Sequence, residues 1–151
     1  MDSPPAEASR PEVTLAVTQG VLRYCADMNW APLTEVTLKN GRRADVLALD
    51  KAGKFHLFEV KSSREDFVVD QKWQDYLAFC DSFSFAVAPD FPLDLIPEDV
   101  GLMICDAYGW HTVRPPYQDP LHASRRKAMT LMFARLAAFR SQALEIGART
   151  L

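Results

Sequence analysis

The chain has 151 residues, of which 17 are basic and 20 acidic, giving a formal net charge of −3, and 48% are hydrophobic. This length suits one domain with a sizeable core, and the charge excludes a surface that is positive all over. Three scattered cysteines and three scattered histidines do not fit a structural zinc site, and without an apolar run of about 18 residues or a signal peptide we expect a soluble, cytoplasmic protein.

The first predicted elements are a tail and a helix. Residues 1–8, which contain two prolines, predict a disordered tail, and residues 9–151 predict a single domain. Ser9 followed by Glu12 is a capping box, which predicts the start of a helix. Apolar residues at helical spacing extend this helix to about Asn29.

Three strands are predicted after this helix. Residues 33–39 alternate like a strand, and Asn40-Gly41 is typical of a two-residue hairpin turn that leads into residues 42–49. Residues 50–54 predict a five-residue turn. Residues 55–61 are apolar on both faces, which predicts a strand in the middle of a sheet.

The second half of the chain predicts two more strands between two helices. Ser62 with Glu65 forms another capping box, and the apolar face of the helix that follows extends to Cys80. Two short strands and a long helix follow, over residues 83–89, 101–108 and 119–146. The order α-β-β-β-α-β-β-α predicts a single α/β layer system.

Two carboxylates are expected to face each other in this arrangement. If residues 50–54 form a five-residue hairpin loop, Asp45 lies directly opposite Glu59. Like charges at facing positions are destabilising, and more so in an apolar strand pair. A divalent cation reverses that repulsion, and Mg²⁺ or Mn²⁺ with Asp45, Glu59 and the backbone carbonyl of Val60 as ligands would explain the pair.

Lys61 lies two residues after Glu59 and therefore on the same face of the strand. There it would orient or help to deprotonate a water and offset phosphate charge. The alternative is an ion-pair cluster in which Lys61 and Arg43 neutralise Asp45 and Glu59. The bare D…ExK pattern does not decide between the two interpretations.

Several sequence blocks occur in a recognisable order, namely Thr34-Glu35, Asn40–Val46 (NGRRADV), Glu59–Ser63 (EVKSS), Asp66, Asp70–Trp73 (DQKW), Asp75-Tyr76, Ala88–Pro92 and Gly101–Gly109. Over about residues 13–140, the chain resembles the MmcB-like DNA repair protein family of the PD-(D/E)XK nuclease superfamily. The resemblance implies a restriction-endonuclease-like α-β-β-β-α-β core, with a mixed central sheet flanked by helices and an extra C-terminal helix. Ala44 stands where other superfamily members have a proline, at a position that does not ligate metal.

The resemblance also implies roles for particular residues. Asp45 and Glu59 would be metal ligands and Lys61 the catalytic lysine. Other superfamily members add an acid from the first helix or first strand, and Glu35 is the candidate for this catalytic position. A two-residue turn would pair Asp45 with Val36 and put Glu35 on the other face, whereas a three-residue or bulged turn would bring Glu35 back. Otherwise Glu35 belongs to a buried or rim ion pair.

Basic and polar residues in three places are expected to contact DNA. They lie beside the Asp45 hairpin, around the second helix, and in the first turns of the last helix. The residues are Arg42, Arg43, Ser63, Gln71, Lys72, Arg125, Arg126 and Lys127. For the last helix, the alternative is a solvated basic face.

The sequence therefore predicts a DNA repair protein that is a metal-dependent nuclease. The alternative is a non-cleaving DNA-binding or adaptor module of a repair complex that retains the fold. The complete acid-acid-lysine set favours the nuclease, because facing carboxylates bring no advantage to an adaptor. Expected partners are DNA and either a second copy or a repair-complex protein, with no membrane contact.

Overall fold

Six strands form one sheet, in which they lie side by side in chain order. The structure, a computed structural model, describes residues 8–69 and 71–150, with side chains described as far as residue 148. The strands are β1 Ala31–Thr37, β2 Arg43–Leu49, β3 Phe55–Lys61, β4 Ser82–Val87, β5 Gly101–Cys105 and β6 Trp110–Arg114. The helices are α1 Arg10–Asp27, α2 Arg64–Val69 and α3 Ala123–Thr150, with short 3₁₀ helices at Trp73–Phe79 and Leu93–Leu95. Apart from residue 8, the predicted tail lies outside the described residues.

The sheet is mixed. Strands β1, β2 and β3 are antiparallel, β4 and β5 continue parallel to β3, and β6 is antiparallel to β5. The predicted fold class is thus confirmed, with its α-β-β-β-α-β core and an added C-terminal helix. Strand β6 was not predicted. The segment expected as one strand turns after Cys105, because the Asp106 carboxylate accepts the backbone N–H groups of Tyr108 and Gly109.

The helix predicted from Ser62 to Cys80 is wrong in its extent, since α2 ends at Val69 and a 3₁₀ helix follows. The Gln71 side chain donates to the carbonyls of Phe67 at 2.9 Å and Val68 at 3.4 Å, and so satisfies the free carbonyls at the end of α2.

The capping residues at the start of α2 also differ from the prediction. The Ser63 hydroxyl accepts the Asp66 N–H at 3.2 Å, so the cap lies one residue after the expected Ser62–Glu65 box. The box predicted at the start of α1 is confirmed, with both of its hydrogen bonds present between Ser9 and Glu12.

Helices cover both faces of the sheet. On one face, Val17, Val21 and Cys25 of α1 pack against sheet residues that include Val46 and Phe58. The other face is covered by α2, the first 3₁₀ helix and α3, through residues that include Phe67, Tyr76, Met129 and Phe133. No helix among the described residues is long and apolar enough to cross a membrane.

The two hairpins at the start of the sheet fix its register. Leu49 pairs with Phe55 and Val46 with Phe58, which confirms the five-residue turn at 50–54. The two-residue turn predicted at Asn40-Gly41 is wrong. Leu38 N–H donates to the Arg42 carbonyl at 2.7 Å, so the turn has three residues, and its last residue, Gly41, has a φ of 85°.

Arg126, which was predicted to contact DNA, fixes α3 to the sheet. Its guanidinium binds both carboxylate oxygens of Asp81, a side chain only 1% exposed, and donates to the Gly53 carbonyl at 2.7 Å. Asp81 also accepts the N–H groups of Phe55 and Leu121. A guanidinium with these partners has a structural role at the end of the sheet where β3 begins.

We expect Arg126→Ala to lower the free energy of unfolding by about 3 kcal/mol, because Asp81 would remain buried without its cation. Urea denaturation measures this change. The adjacent, exposed Lys127 provides a matched control, and Lys127→Ala should stay within about 0.5 kcal/mol of the wild type. Equal effects of the two substitutions would contradict a structural role for the Arg126–Asp81 pair.

Candidate active site

The β2–β3 ladder opens at the end that carries Asp45 and Glu59. Backbone pairing between the two strands stops at Val46 and Phe58. Beyond that point, acidic side chains accept the backbone hydrogen bonds. Val60 N–H donates to Asp45 Oδ2 at 2.8 Å, and Asp45 N–H donates to Glu59 Oε1 at 3.1 Å. Each carboxylate is therefore fixed by the backbone of the neighbouring strand, and the two converge.

Burial makes this pair reluctant to carry two negative charges. Glu59 is only 4% exposed. Burial raises the pKa of Glu59, and the Asp45 carboxylate raises it further. Burial also raises the pKa of Asp45, although the Val60 N–H and the Lys61 charge partly oppose the rise. Without a cation, burial and mutual repulsion therefore disfavour the state in which both carboxyls are ionised.

Lys61 is buried beside this pair, on the same face of β3 as Glu59. Its positive charge acts on both carboxyls and lowers the pKa of each in part, after the larger effect of burial. The structure thus brings together Asp45, Glu59, Val60 and Lys61.

An open cleft of about 970 Å³ lies above these residues. The predicted residues Glu35, Arg42 and Arg43 line it as well. Its other walls come from α1, β1, the turn at Gly41, Asp66 and Tyr76. Seven of the residues predicted for the site therefore share a single cleft.

Glu35 reaches the cleft through an irregularity in β1. Thr34 pairs with Val46 and Val36 with Ala44, so the register places Glu35 opposite Asp45. Glu35 itself has a φ of 50°, a conformation that a non-glycine residue rarely adopts. The three-residue turn is therefore the alternative that the structure realises.

Arg140 stabilises this irregular segment and was not predicted. Its guanidinium donates to the carbonyls of Thr34 at 2.7 Å and Glu35 at 3.0 Å. The helical pattern marked Arg140 as one more basic residue of α3, and nothing within a few residues indicated its partners.

The hairpin wall of the cleft is attached to the first 3₁₀ helix. Arg42 Nε lies 3.2 Å from the Asp75 carboxylate, and Asn40 donates to the Asp75 backbone carbonyl at 3.0 Å. The Tyr76 hydroxyl donates to the Arg43 carbonyl at 3.1 Å, while the Arg43 residue is exposed. These contacts hold both arginines at the edge of the cleft.

Six residues predicted to contact DNA do not line this cleft, namely Ser63, Gln71, Lys72, Arg125, Arg126 and Lys127. Ser63 and Gln71 cap α2, and Arg125 stacks over the Phe79 ring at 4.5 Å. The basic cluster of α3 lies near the start of β3, where Arg126 binds. Glu59 lies near the other end of that strand, about 13 Å from Phe55, so the cluster and the acidic pair are at different ends of the sheet. Spacing along the sequence did not show which end of the sheet α3 approaches first.

Arg10 and Asp66 line the cleft without having been predicted as site residues. Arg10 Nη2 lies 3.3 Å from Asp66 Oδ1, and the Ser62 N–H donates to Asp66 Oδ2 at 3.3 Å. The negative charge of Asp66 contributes to the raised pKa of Asp45. The signal in the sequence was Asp66 itself, a conspicuous acid just after the EVKSS segment.

The donor set fits a divalent cation that keeps part of its hydration. Among the residues that the structure describes, no three Asp, Glu, His or Cys side chains are grouped to hold a metal. Asp45, Glu59 and the Val60 carbonyl supply a partial oxygen set, which is typical of Mg²⁺ with waters or phosphate completing the shell. A cation would also offset the repulsion between the two carboxylates, so the charge of the pair favours it.

The chain is similar to known proteins in both sequence and fold. A family model described as DNA repair protein MmcB-like matches residues 1–148. A solved protein of unknown function from Silicibacter pomeroyi is 37% identical, with 93% of this chain and 94% of that chain covered and a TM-score of 0.83. A repair endonuclease from Pyrococcus abyssi is 14% identical, with 70% of this chain and 50% of that chain covered and a TM-score of 0.38. No curated protein matches the chain significantly.

The raised pKa values predict how stability depends on pH. Because the folded protein keeps protons that the unfolded chain releases, the free energy of unfolding should fall as the pH rises from about 5 to 8 in EDTA. Glu59→Gln should flatten this fall, since it removes one raised pKa and the repulsion on Asp45. Urea denaturation at several pH values measures both curves, with Glu98→Gln as an exposed control. Parallel curves for wild type and Glu59→Gln would contradict a raised pKa for Glu59.

Proposed function

The chain belongs to the MmcB-like family of DNA repair proteins, and we propose that it is a metal-dependent nuclease that hydrolyses DNA phosphodiester bonds. The observation that carries the proposal is the convergence of Asp45 and Glu59 beside the buried Lys61, at the floor of an open cleft.

The acidic pair is poorly explained by stability alone. A carboxylate buried near another carries a desolvation cost and a repulsion, which is why the pKa of each acid is raised. Lys61 compensates only in part. Buried acids whose pKa values are raised and whose charge is incompletely compensated are typical of functional sites.

Asp45, Glu59 and the Val60 carbonyl would hold Mg²⁺ or Mn²⁺ in this site. When bound, such a cation supplies Lewis acidity, which stabilises negative charge on phosphate oxygens and makes water a better nucleophile. The side chains of Asp45 and Glu59 are already fixed by backbone N–H groups, so the site needs little rearrangement to bind the ion.

The other residues of the cleft would bind and orient the DNA. Lys61 would orient the attacking water and offset the charge that develops on the phosphodiester. Arg42 and Arg43, at the hairpin wall, would contact neighbouring phosphates. Glu35, opposite Asp45 in the register of β1, is the candidate for a third acidic contact to water.

Metal binding can be measured without activity. We expect millimolar Mg²⁺ to raise the melting temperature of the wild type and to leave that of Asp45→Asn unchanged, because binding to the folded state stabilises it. Asp99→Asn, an exposed substitution that removes the same charge, should respond like the wild type. Equal shifts in wild type and Asp45→Asn would place any bound Mg²⁺ elsewhere.

Cleavage can be tested on a panel of labelled duplex, flap, junction and single-stranded DNA with Mg²⁺ or Mn²⁺. Lys61→Met, which keeps the length of the side chain, should reduce the cleavage rate by about 10²-fold or more. Lys51→Met, in the exposed turn at the other end of β3, should retain the wild-type rate. If the wild type binds DNA but cleaves none of these substrates, the nuclease proposal is wrong and the alternative, a non-cleaving adaptor, is favoured.

A further inference from the structure

The structure points to an exchange of partners by Arg10: in the free protein this arginine pairs with Asp66, and in the DNA complex we propose that it pairs with a backbone phosphate. This inference rests on the proposed function, since it assumes that DNA enters the cleft. It adds a phosphate contact on the α1 wall, where no residue has been assigned a role.

Arg10 is held at the cleft by the start of α1. It is the first residue of the helix, directly after Ser9, and the reciprocal hydrogen bonds of Ser9 with Glu12, at 3.2 and 3.4 Å, fix this turn. Its side chain is 56% exposed and lines the same cleft as Asp45 and Glu59. The Arg10 guanidinium therefore lies in the cleft that contains the acidic pair, and it is contributed by α1 and not by the hairpin.

Asp66 holds Arg10 loosely. One nitrogen of Arg10 contacts one oxygen of Asp66 at 3.3 Å, and the Asp66 side chain is 30% exposed. Ion pairs as exposed as this contribute little to stability, so separating them is inexpensive. A backbone phosphate also carries two charged oxygens and can bind guanidinium in a two-pronged geometry, which the single contact between Arg10 and Asp66 does not use.

Two other arginines are held differently. Arg126 binds the buried Asp81 with both terminal nitrogens, and Arg23, further along α1, donates to the Ala107 carbonyl at 2.9 Å. Arg10 differs from both, because its partner is a partly exposed carboxylate that lines the cleft and carries the same charge as a backbone phosphate. Arg43 on the hairpin is exposed and lines the same cleft, so a DNA strand in the cleft would meet cations from two different elements.

The test is the salt dependence of DNA binding, measured by fluorescence anisotropy with a labelled duplex in Ca²⁺ and repeated with a single strand. Arg10→Ala should flatten the slope of log K against log salt by about 0.9 on duplex DNA, which corresponds to about eightfold weaker binding near 0.1 M salt. Arg10→Lys should retain most of the slope, because the charge remains. Arg23→Ala removes the same charge about 20 Å further along the same helix and should retain the wild-type slope.

Asp66→Asn separates a phosphate contact from a structural ion pair. If Arg10 moves to phosphate, removing its competing carboxylate should leave DNA binding unchanged or stronger. If the pair only supports the wall, Asp66→Asn and Arg10→Ala should weaken binding equally, and that result would overturn the inference. So would an unchanged slope for Arg10→Ala in a protein whose wild type binds DNA, whether or not it cleaves. A wild type that binds no DNA would instead refute the proposed function, and this inference with it.

Discussion

The site depends on two hydrogen bonds in which acidic side chains take the place of a β ladder. Where β2 and β3 separate, Asp45 accepts the Val60 N–H and Glu59 accepts the Asp45 N–H. Buried backbone donors need partners, and here the carboxylates provide them. The acids therefore keep the end of the sheet open while satisfying its backbone. Val60 and both carboxylates line the cleft at this opening.

The buried acids at the two ends of β3 have pKa values shifted in opposite directions. At its beginning, Asp81 is enclosed, and despite burial the Arg126 guanidinium with the N–H groups of Leu121 and Phe55 holds its pKa below the usual range. At its end, burial and the neighbouring Asp45 raise the pKa of Glu59. The paired acid joins α3 to the sheet. The pair of Asp45 and Glu59, whose negative charge Lys61 offsets only in part, lines a cleft that a cation can enter.

The cleft is assembled from parts that lie far apart in the chain. The β1–β2 hairpin is attached to the first 3₁₀ helix through Asp75 and Tyr76, and α3 supports the irregular part of β1 through Arg140. The start of α1 contributes Arg10, which meets Asp66 beside the end of β3. Each wall is thus held by a contact between elements, so the shape of the cleft depends on the complete fold.

The sequence by itself determined the features that depend on neighbouring residues. The five-residue turn at 50–54 and the two-residue period of a strand placed Asp45 opposite Glu59 and put Lys61 on the face of Glu59, and the capping box placed the start of α1. Tertiary structure decided the rest. Gly41 suits a two-residue and a three-residue turn alike, because both accept a positive φ, so the position of Glu35 was open until the strands paired. Arg126 and Arg140 read as similar basic residues of one helix. Their partners, Asp81 and the carbonyls of Thr34 and Glu35, lie 45 and about 105 residues away and are chosen only by how α3 packs on the sheet.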